Sequence, residues 1–269
     1  MSRLIEFEFV PVEDLRSADG NLTWFELSYG YIHFNTDPDP LLVYSDEYLA
    51  RHRAAGDMPP GHADIQYYIA RLWEDVAGAL PELFEPVPRS ILDRVEPYLD
   101  RWRDWQKRTD AFLDRTPEID QDSEKVARFL ELAHGWYREL DAGYLRSPPA
   151  IIGWSDETHV HVRWDNTDVV EDGVAVWKAS CGRFSIAKDA FFDELKAFHR
   201  SFMAGMASRI DAASQLPPES GITVDTPALF AEQRDRTALL DMTITRPPVR
   251  SGPWREIEDA VAKVCAAAP

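Results

Sequence analysis

The chain has 269 residues and a formal net charge of -18, because 47 acidic side chains outnumber 29 basic ones. Hydrophobic residues make up 45% of it and nine residues are tryptophan, which is typical of a folded protein and not of a disordered acidic tail. This negative net charge argues against a nucleic-acid partner or an anionic membrane surface, since both are polyanions. It permits a basic protein partner.

The negative charge is concentrated at the start of the chain. Residues 1–50 contain ten acidic and two basic side chains. We therefore expect an acidic functional face, if there is one, to lie on the elements that this segment forms. An ordinary solvated surface is the alternative.

Strand patterns dominate the first 45 residues. Residues 4–10 alternate between apolar and acidic side chains, as a half-buried strand does. Residues 22–34 are rich in aromatic and β-forming residues and predict two strands joined tightly near Gly30, and residues 41–44 predict a short fourth strand. Together these patterns predict a small antiparallel sheet over residues 4–45.

Helical patterns follow the first sheet, over residues 64–141. Asp64 suits the N-cap of the first helix. An apolar seam over 91–112 is interrupted by Pro97, which predicts a kink or two separate helices. A further helix over 122–141 is predicted to pack antiparallel against this seam, as a helical hairpin.

Strand patterns return over residues 150–187 and predict a second sheet. Its four strands are expected to form a meander over residues 150–154, 158–164, 174–179 and 183–187. A long helix over 189–213 follows. The order lacks the β-α-β-α alternation of a doubly wound fold, so the predicted class is α+β.

The end of the chain has a different composition. Residues 1–215 are predicted to form the main domain, and residues 216–269 form a Pro-rich extension that packs on this body. Within the extension, Pro253 is expected to start a short terminal helix over 253–266.

The most chemically suggestive stretch is the predicted strand over residues 158–164. His159, His161 and Arg163 share one face of this strand, and Asp165 follows in a turn. Two histidines at this spacing can bind one metal ion if a third ligand joins them. The alternatives are a polar binding face or a plain solvent face, and no cofactor or metal ion is expected.

Two further groups are candidates for a binding surface. Arg71 and Asp75 lie four residues apart on a predicted helix and are placed to form an ion pair. Trp24, Glu26 and Tyr29 combine aromatic rings with an acid near a tight turn, as protein-binding surfaces do. Core packing is the alternative for these aromatic residues.

Other classes of function lack support. The sequence contains no dinucleotide-binding, P-loop, zinc-protease, serine-hydrolase or paired CxxC motif. Trp102 and Trp105 lie among basic residues, but neighbouring acids cancel that field, so nucleic-acid binding is not expected. Cys181 and Cys265 lie far apart in the sequence, and two scattered cysteines are typical of free thiols in a reducing compartment. The N-terminus has no apolar signal core and no apolar run could span a bilayer, so we expect a cytoplasmic location and no membrane partner.

Four stretches of this chain resemble a bacterial protein family of unknown function. They are 22–30 (LTWFELSYG), 71–75 (RLWED), 143–145 (GYL) and 160–166 (VHVRWDN). The resemblance extends over about residues 5–215 and implies a bacterial host. The family has no assigned activity, so the resemblance implies no catalytic residue.

The sequence thus predicts a non-catalytic, acidic protein that binds a basic protein partner, as an immunity-like or regulatory protein does. One alternative is an enzyme of unrecognised type with a polar site around His161, Arg163 and Asp165. Another is a subunit of a larger assembly. The oligomeric state stays open.

Overall fold

The computed structural model of the chain contains antiparallel sheets and ten α-helices among its described residues. It describes residues 3–17, 20–58, 60–116, 123–217, 222–246 and 253–267. The strands are Ile5–Phe9 (β1), Tyr29–Phe34 (β2), Ile65–Tyr68 (β3), Arg138–Glu139 (β4), Ile151–Ser155 (β5), His159–Asp165 (β6), Val170–Glu171 (β7), Val174–Ala175 (β8) and Cys181–Ala187 (β9). The α-helices are Trp24–Leu27 (α1), Asp46–Ala55 (α2), Ile69–Phe84 (α3), Arg89–Val95 (α4), Trp102–Asp114 (α5), Ser123–Ala133 (α6), Lys188–Ala213 (α7), Thr226–Thr237 (α8), Leu239–Ile244 (α9) and Trp254–Ala266 (α10). The predicted α+β class, with antiparallel sheets and a long helix after the second, is confirmed.

The first sheet has the antiparallel order β1-β2-β3. Phe7 on the inner face of β1 makes edge-to-face contacts with Phe198 and Phe202 of α7, at ring-centroid distances of 5.4 and 5.9 Å. Since side chains alternate along a strand, the residues between these inner positions point to the opposite face.

The prediction for residues 22–44 is partly wrong. Trp24–Leu27 is a helix because Thr23 and Glu26 form a capping box, in which the Glu26 carboxylate accepts from the Thr23 amide at 2.7 Å. Only the second half, β2, is a strand. Residues 41–44 make isolated bridges to Phe34, Asp64 and Trp177 and do not form a fourth strand.

The predicted helix at Asp64 begins later than expected. Ile65–Tyr68 is strand β3, which pairs with β2 through Ile32↔Ile65 and Tyr29↔Tyr68. The chain passes from this strand straight into α3 at Ile69. Helix α2 precedes it, with Ser45 as its N-cap, and was not predicted.

The helices after α3 follow the prediction more closely. Pro97 lies in a 3₁₀ turn, Glu96–Arg101, that separates α4 from α5. Of the two predicted outcomes, a kink or two separate helices, the second is therefore confirmed. Trp105 donates to the Ala133 carbonyl at 3.2 Å and Phe112 stacks on Phe129 at 4.8 Å, so α5 and α6 pack antiparallel. Residues 117–122 lie outside the described part of the chain, and α6 ends at Ala133, short of the predicted residue 141.

The second sheet has the antiparallel order β4-β5-β6-β9. Three of the four predicted strands belong to it. The prediction over 174–179 is only partly right, because just Val174–Ala175 is a strand and it pairs with Val170–Glu171 in a separate hairpin. Asp172 and Gly173 form its turn with φ of 50° and 81°. The fourth strand of the sheet is β4, whose two residues carry no recognisable strand pattern.

Two hydrophobic cores lie on opposite faces of the second sheet. Ile151 belongs to the first core, together with the inner face of the first sheet, α3 and α7. Ile152 and Trp154 of the same strand belong to the second core, together with residues of α4, α5, α6 and α10. From α10 this second core takes Ile257, Ala260, Val261 and Val264, all of them buried.

The C-terminal stretch is helical in its described parts. Helix α8 contacts α7, α9 contacts α3, and α10 contacts both α4 and α6. Pro253 directly precedes α10, in the place that the sequence predicted. Helices α8 and α9 were not predicted. Among the described residues, no helix combines the length and apolar character needed to cross a membrane.

Candidate functional site

The outer face of the first sheet is acidic and aromatic. Here the strand alternation places side chains on the side opposite to the inner face, with Tyr31 buried and Tyr29 half-buried, and we call this group the acidic tyrosine face. It consists of Glu6, Glu8, Tyr29, Tyr31, His33, Asp64, Gln66 and Tyr68. The three strands contain neither lysine nor arginine.

Ring contacts and hydrogen bonds order this face. Tyr29 contacts Tyr68 at 5.5 Å, and Tyr31 stacks flat on His62, with 3.7 Å between ring centroids and 9° between planes. Gln66 donates to the Tyr31 hydroxyl at 3.1 Å. Burial raises the pKa of Tyr29 and of Tyr31, and the Glu8 carboxylate raises that of Tyr31 further. The tyrosines therefore stay neutral hydrogen-bonding groups at physiological pH.

One histidine belongs to the face. His33 Nδ1 lies 3.1 Å from Asp64 Oδ2, and His33 Nε2 lies 3.9 Å from a Glu6 oxygen. The hydrogen bond to Asp64 raises the pKa of His33, although burial of the ring opposes this shift. Protonation of His33 reduces the negative charge of the face, so the face is most acidic above the raised pKa.

A polar cavity of about 180 Å³ opens at one edge of the face. The polar and aromatic residues that line it are Tyr31, Tyr44, Asp57, His62, Asp64 and Gln66. Asp57 also lies 3.3 Å from His52 Nδ1 of helix α2. Carboxylates next to aromatic rings suit a guanidinium or ammonium group, which gains charge-assisted hydrogen bonds and cation–π contact.

The structure separates the three candidates of the aromatic stretch. Trp24 is 1% exposed, and its indole donates to Gln233 at 2.8 Å, so it is a core residue. Glu26 serves as the partner of Thr23 in the capping box. Only Tyr29 lies on the acidic tyrosine face.

The predicted pair on α3 does meet. Arg71 Nε lies 3.4 Å from Asp75 Oδ2, and the Arg71 guanidinium lies 5.4 Å from the Tyr144 ring centre. Tyr144 stacks on Tyr67 at 4.7 Å. Burial raises the pKa of Asp75, against the opposing effects of Tyr144 and Arg71. The stretches at 71–75 and 143–145 therefore come together next to strand β3.

His161 is held between two polar partners. Its Nδ1 lies 2.8 Å from Ser185 Oγ on β9, and its Nε2 lies 3.0 Å from Asp156 Oδ2 in the β5–β6 turn. Burial opposes ionisation of Asp156. Hydrogen bonds from the Thr158 and His159 amides and from His161 outweigh it and hold the pKa of Asp156 well below its ordinary range.

The other candidates on β6 do not form one site with His161. His159 is exposed, and its ring centroid lies 6.2 Å from that of His161. Arg163 is half-buried. Asp165 is 6% exposed and accepts from the Thr167 hydroxyl at 2.5 Å, as a turn residue does. Among the described residues, no group of three His, Cys, Asp or Glu side chains is placed to hold a metal ion.

Sequence reasoning missed most of the acidic tyrosine face. Tyr31 and His33 follow Tyr29 at the strand period, and Glu6 and Glu8 alternate with apolar residues on β1, so the pattern was present. The assignment of residues 64–68 to a helix concealed Asp64, Gln66 and Tyr68.

The chain belongs to a protein family of unknown function, DUF5984, whose model matches residues 4–260. The predicted resemblance to a family without assigned activity is thereby confirmed. A search of curated proteins and a search of solved structures each found no match.

Proposed function

We propose that this chain is a non-catalytic protein that binds a basic protein partner through the acidic tyrosine face, as an immunity or regulatory protein does when it neutralises its partner. One observation carries the proposal. The face presents the carboxylates of Glu6, Glu8 and Asp64 beside the half-buried Tyr29 and Tyr68, and its three strands contain no lysine or arginine.

The physical roles of these groups differ. The net charge of -18 attracts a basic partner over long distances and speeds its association. The half-buried Tyr29 and Tyr68 offer rigid, amphipathic contact area at small entropic cost. The polar cavity is suited to a lysine or arginine side chain of the partner, with Asp57 and Asp64 as counter-ions and Tyr31 as an aromatic wall.

Affinity capture from the source cell at low salt identifies the partner by mass spectrometry. The decisive variant is Glu6→Gln/Glu8→Gln, which removes two exposed charges from the face. Exposed ion pairs contribute about 0.2–1 kcal/mol each, so we expect affinity to fall roughly 2- to 30-fold at low salt.

The matched control is Asp211→Asn/Asp259→Asn, which removes two exposed charges from helices α7 and α10. It changes the net charge equally and should leave the affinity within about twofold. Equal losses in both variants would assign the effect to net charge alone. Binding that does not weaken as salt rises would refute the proposal.

A second candidate function is enzymatic, and the hydrogen-bonded chain Ser185–His161–Asp156 favours it. A serine joined through histidine to an ionised aspartate is the arrangement of an activated nucleophile. Here, however, serine contacts Nδ1 and aspartate Nε2. Labelling of Ser185 by a fluorophosphonate, abolished by His161→Ala, would support catalysis, whereas an unlabelled Ser185 would count against it.

We propose that the interaction takes place in the cytoplasm. The two cysteines, Cys181 and Cys265, are free thiols, as is usual in a reducing compartment.

A further inference from the structure

An apolar cavity of about 100 Å³ lies between the two sheets. Its walls include Phe34 of the first sheet, Ala79 and Leu83 of α3, Val162 of the second sheet and Phe191 of α7. The volume is several times the ~10–15 Å³ that one water molecule requires. Apolar cavities of about this size can stay dry and bind a small apolar ligand such as benzene.

Water is a poor occupant of this cavity. All of its lining residues except Thr36, Arg138 and Glu139 are apolar. The Thr36 hydroxyl donates to the Asp39 carbonyl at 2.6 Å, and Arg138 pairs with Glu82 at 3.5 Å. A buried water needs two to four polar partners, and these walls offer few.

The cavity is also accessible from outside. Phe34, Ala79, Leu83 and Val162 are half-buried and not fully buried, although they line a concave apolar wall. A ligand that covers this wall removes apolar surface from water, which favours binding.

We propose that the cavity between the sheets binds a small apolar group, either an aromatic ring or a short acyl chain. The ligand contacts α3 on one side and both sheets on the others. This site is separate from the acidic tyrosine face, whose side chains lie on the side opposite to the inner face of the first sheet, so either proposal stands without the other.

Toluene is the first probe and hexanoate the second. Methyl NMR of the wild-type protein should show saturable shifts at Val76, Leu83 and Val162, and the melting temperature should rise with probe concentration. A response to toluene alone indicates an aromatic ring, and a response to hexanoate indicates an acyl chain. Absence of saturable shifts with both probes would overturn the proposal.

Ala79→Leu fills the cavity and should weaken binding of the probe at least tenfold. Val162→Phe fills it from the opposite wall, in case the first variant does not fold. Gly78→Ala is the matched control, because Gly78 neighbours Ala79 but is exposed, with no atom within 4 Å of an added Cβ. Undiminished binding in both folded, filled variants would place the probe elsewhere.

Discussion

Replacing Gly30 with alanine tests the packing beneath the acidic tyrosine face. Gly30 lies in β2 between Tyr29 and Tyr31. A side chain added at this position would point to the inner side of the sheet. An added Cβ would lie 2.3 Å from the Glu8 carbonyl oxygen and 2.9 Å from Ile69 Cδ1. The carbonyl belongs to the backbone of the neighbouring strand, so it cannot turn away as a side chain does.

The expected cost follows from this contact. An alanine without a clash would stabilise a strand by about 0.5–1 kcal/mol relative to glycine. Overpacking usually costs about 1–3 kcal/mol, and displacement of β1 also weakens its hydrogen bonds to β2. We therefore expect Gly30→Ala to destabilise the fold by about 2 kcal/mol, which lowers the melting temperature by roughly 4–8 °C.

Gly78→Ala in helix α3 is the matched control for the same chemical change. It meets no atom within 4 Å and removes a flexible residue from a helix interior. It should stabilise the fold by about 0.5–1 kcal/mol. Urea denaturation of both variants measures the difference. A Gly30→Ala variant as stable as the wild type would show that the contact does not govern this position.

Two further predictions concern polar groups. Asp64→Asn should lower the pKa of His33, as an NMR titration of its ring protons would show. In the wild type, the stability from this pair is present below about pH 6.5 and lost as pH rises through the raised pKa, and the variant should show a weaker dependence. Asn166→Ala should destabilise the fold by about 2–4 kcal/mol in urea, because the buried amide accepts from the Ala150 amide at 2.8 Å and donates to the Ala179 carbonyl at 2.9 Å. An unchanged His33 titration, or an Asn166→Ala loss below about 0.5 kcal/mol, would contradict the respective assignment.

The sequence predicted long, regular elements well and boundaries poorly. Helix α7 and strands β6 and β9 show a clear periodicity over seven or more residues. Strand β5 has only five residues, but it pairs with the neighbouring predicted strand β6. At residues 64–69 the same apolar spacing fits a strand and a helix, and the chain changes from one to the other without a turn residue. Pairing with β2 decides the outcome, and such long-range contact is not visible in a local pattern.

Some signals were present in the sequence but were outweighed. Thr23 and Glu26 have the spacing of a capping box, yet the aromatic residues around them favoured a strand. Ser45 and Gly56 bracket α2 as N-cap and left-handed C-cap. The prediction of the candidate site was incomplete for the same reason, since two of its strands, β2 and β3, depend on these boundaries.

The position of α10 in the second core has a consequence for biosynthesis. Trp154 is synthesised about 110 residues before the end of α10, an interval of roughly 6 to 22 seconds at ribosomal speeds. During that interval the tryptophans of the second core, Trp102, Trp105, Trp136 and Trp154, lack the α10 side chains that complete this core. The nascent chain therefore exposes apolar aromatic surface to chaperones and to other nascent chains. The yield of folded protein in the cell depends on how quickly α10 is synthesised and packs.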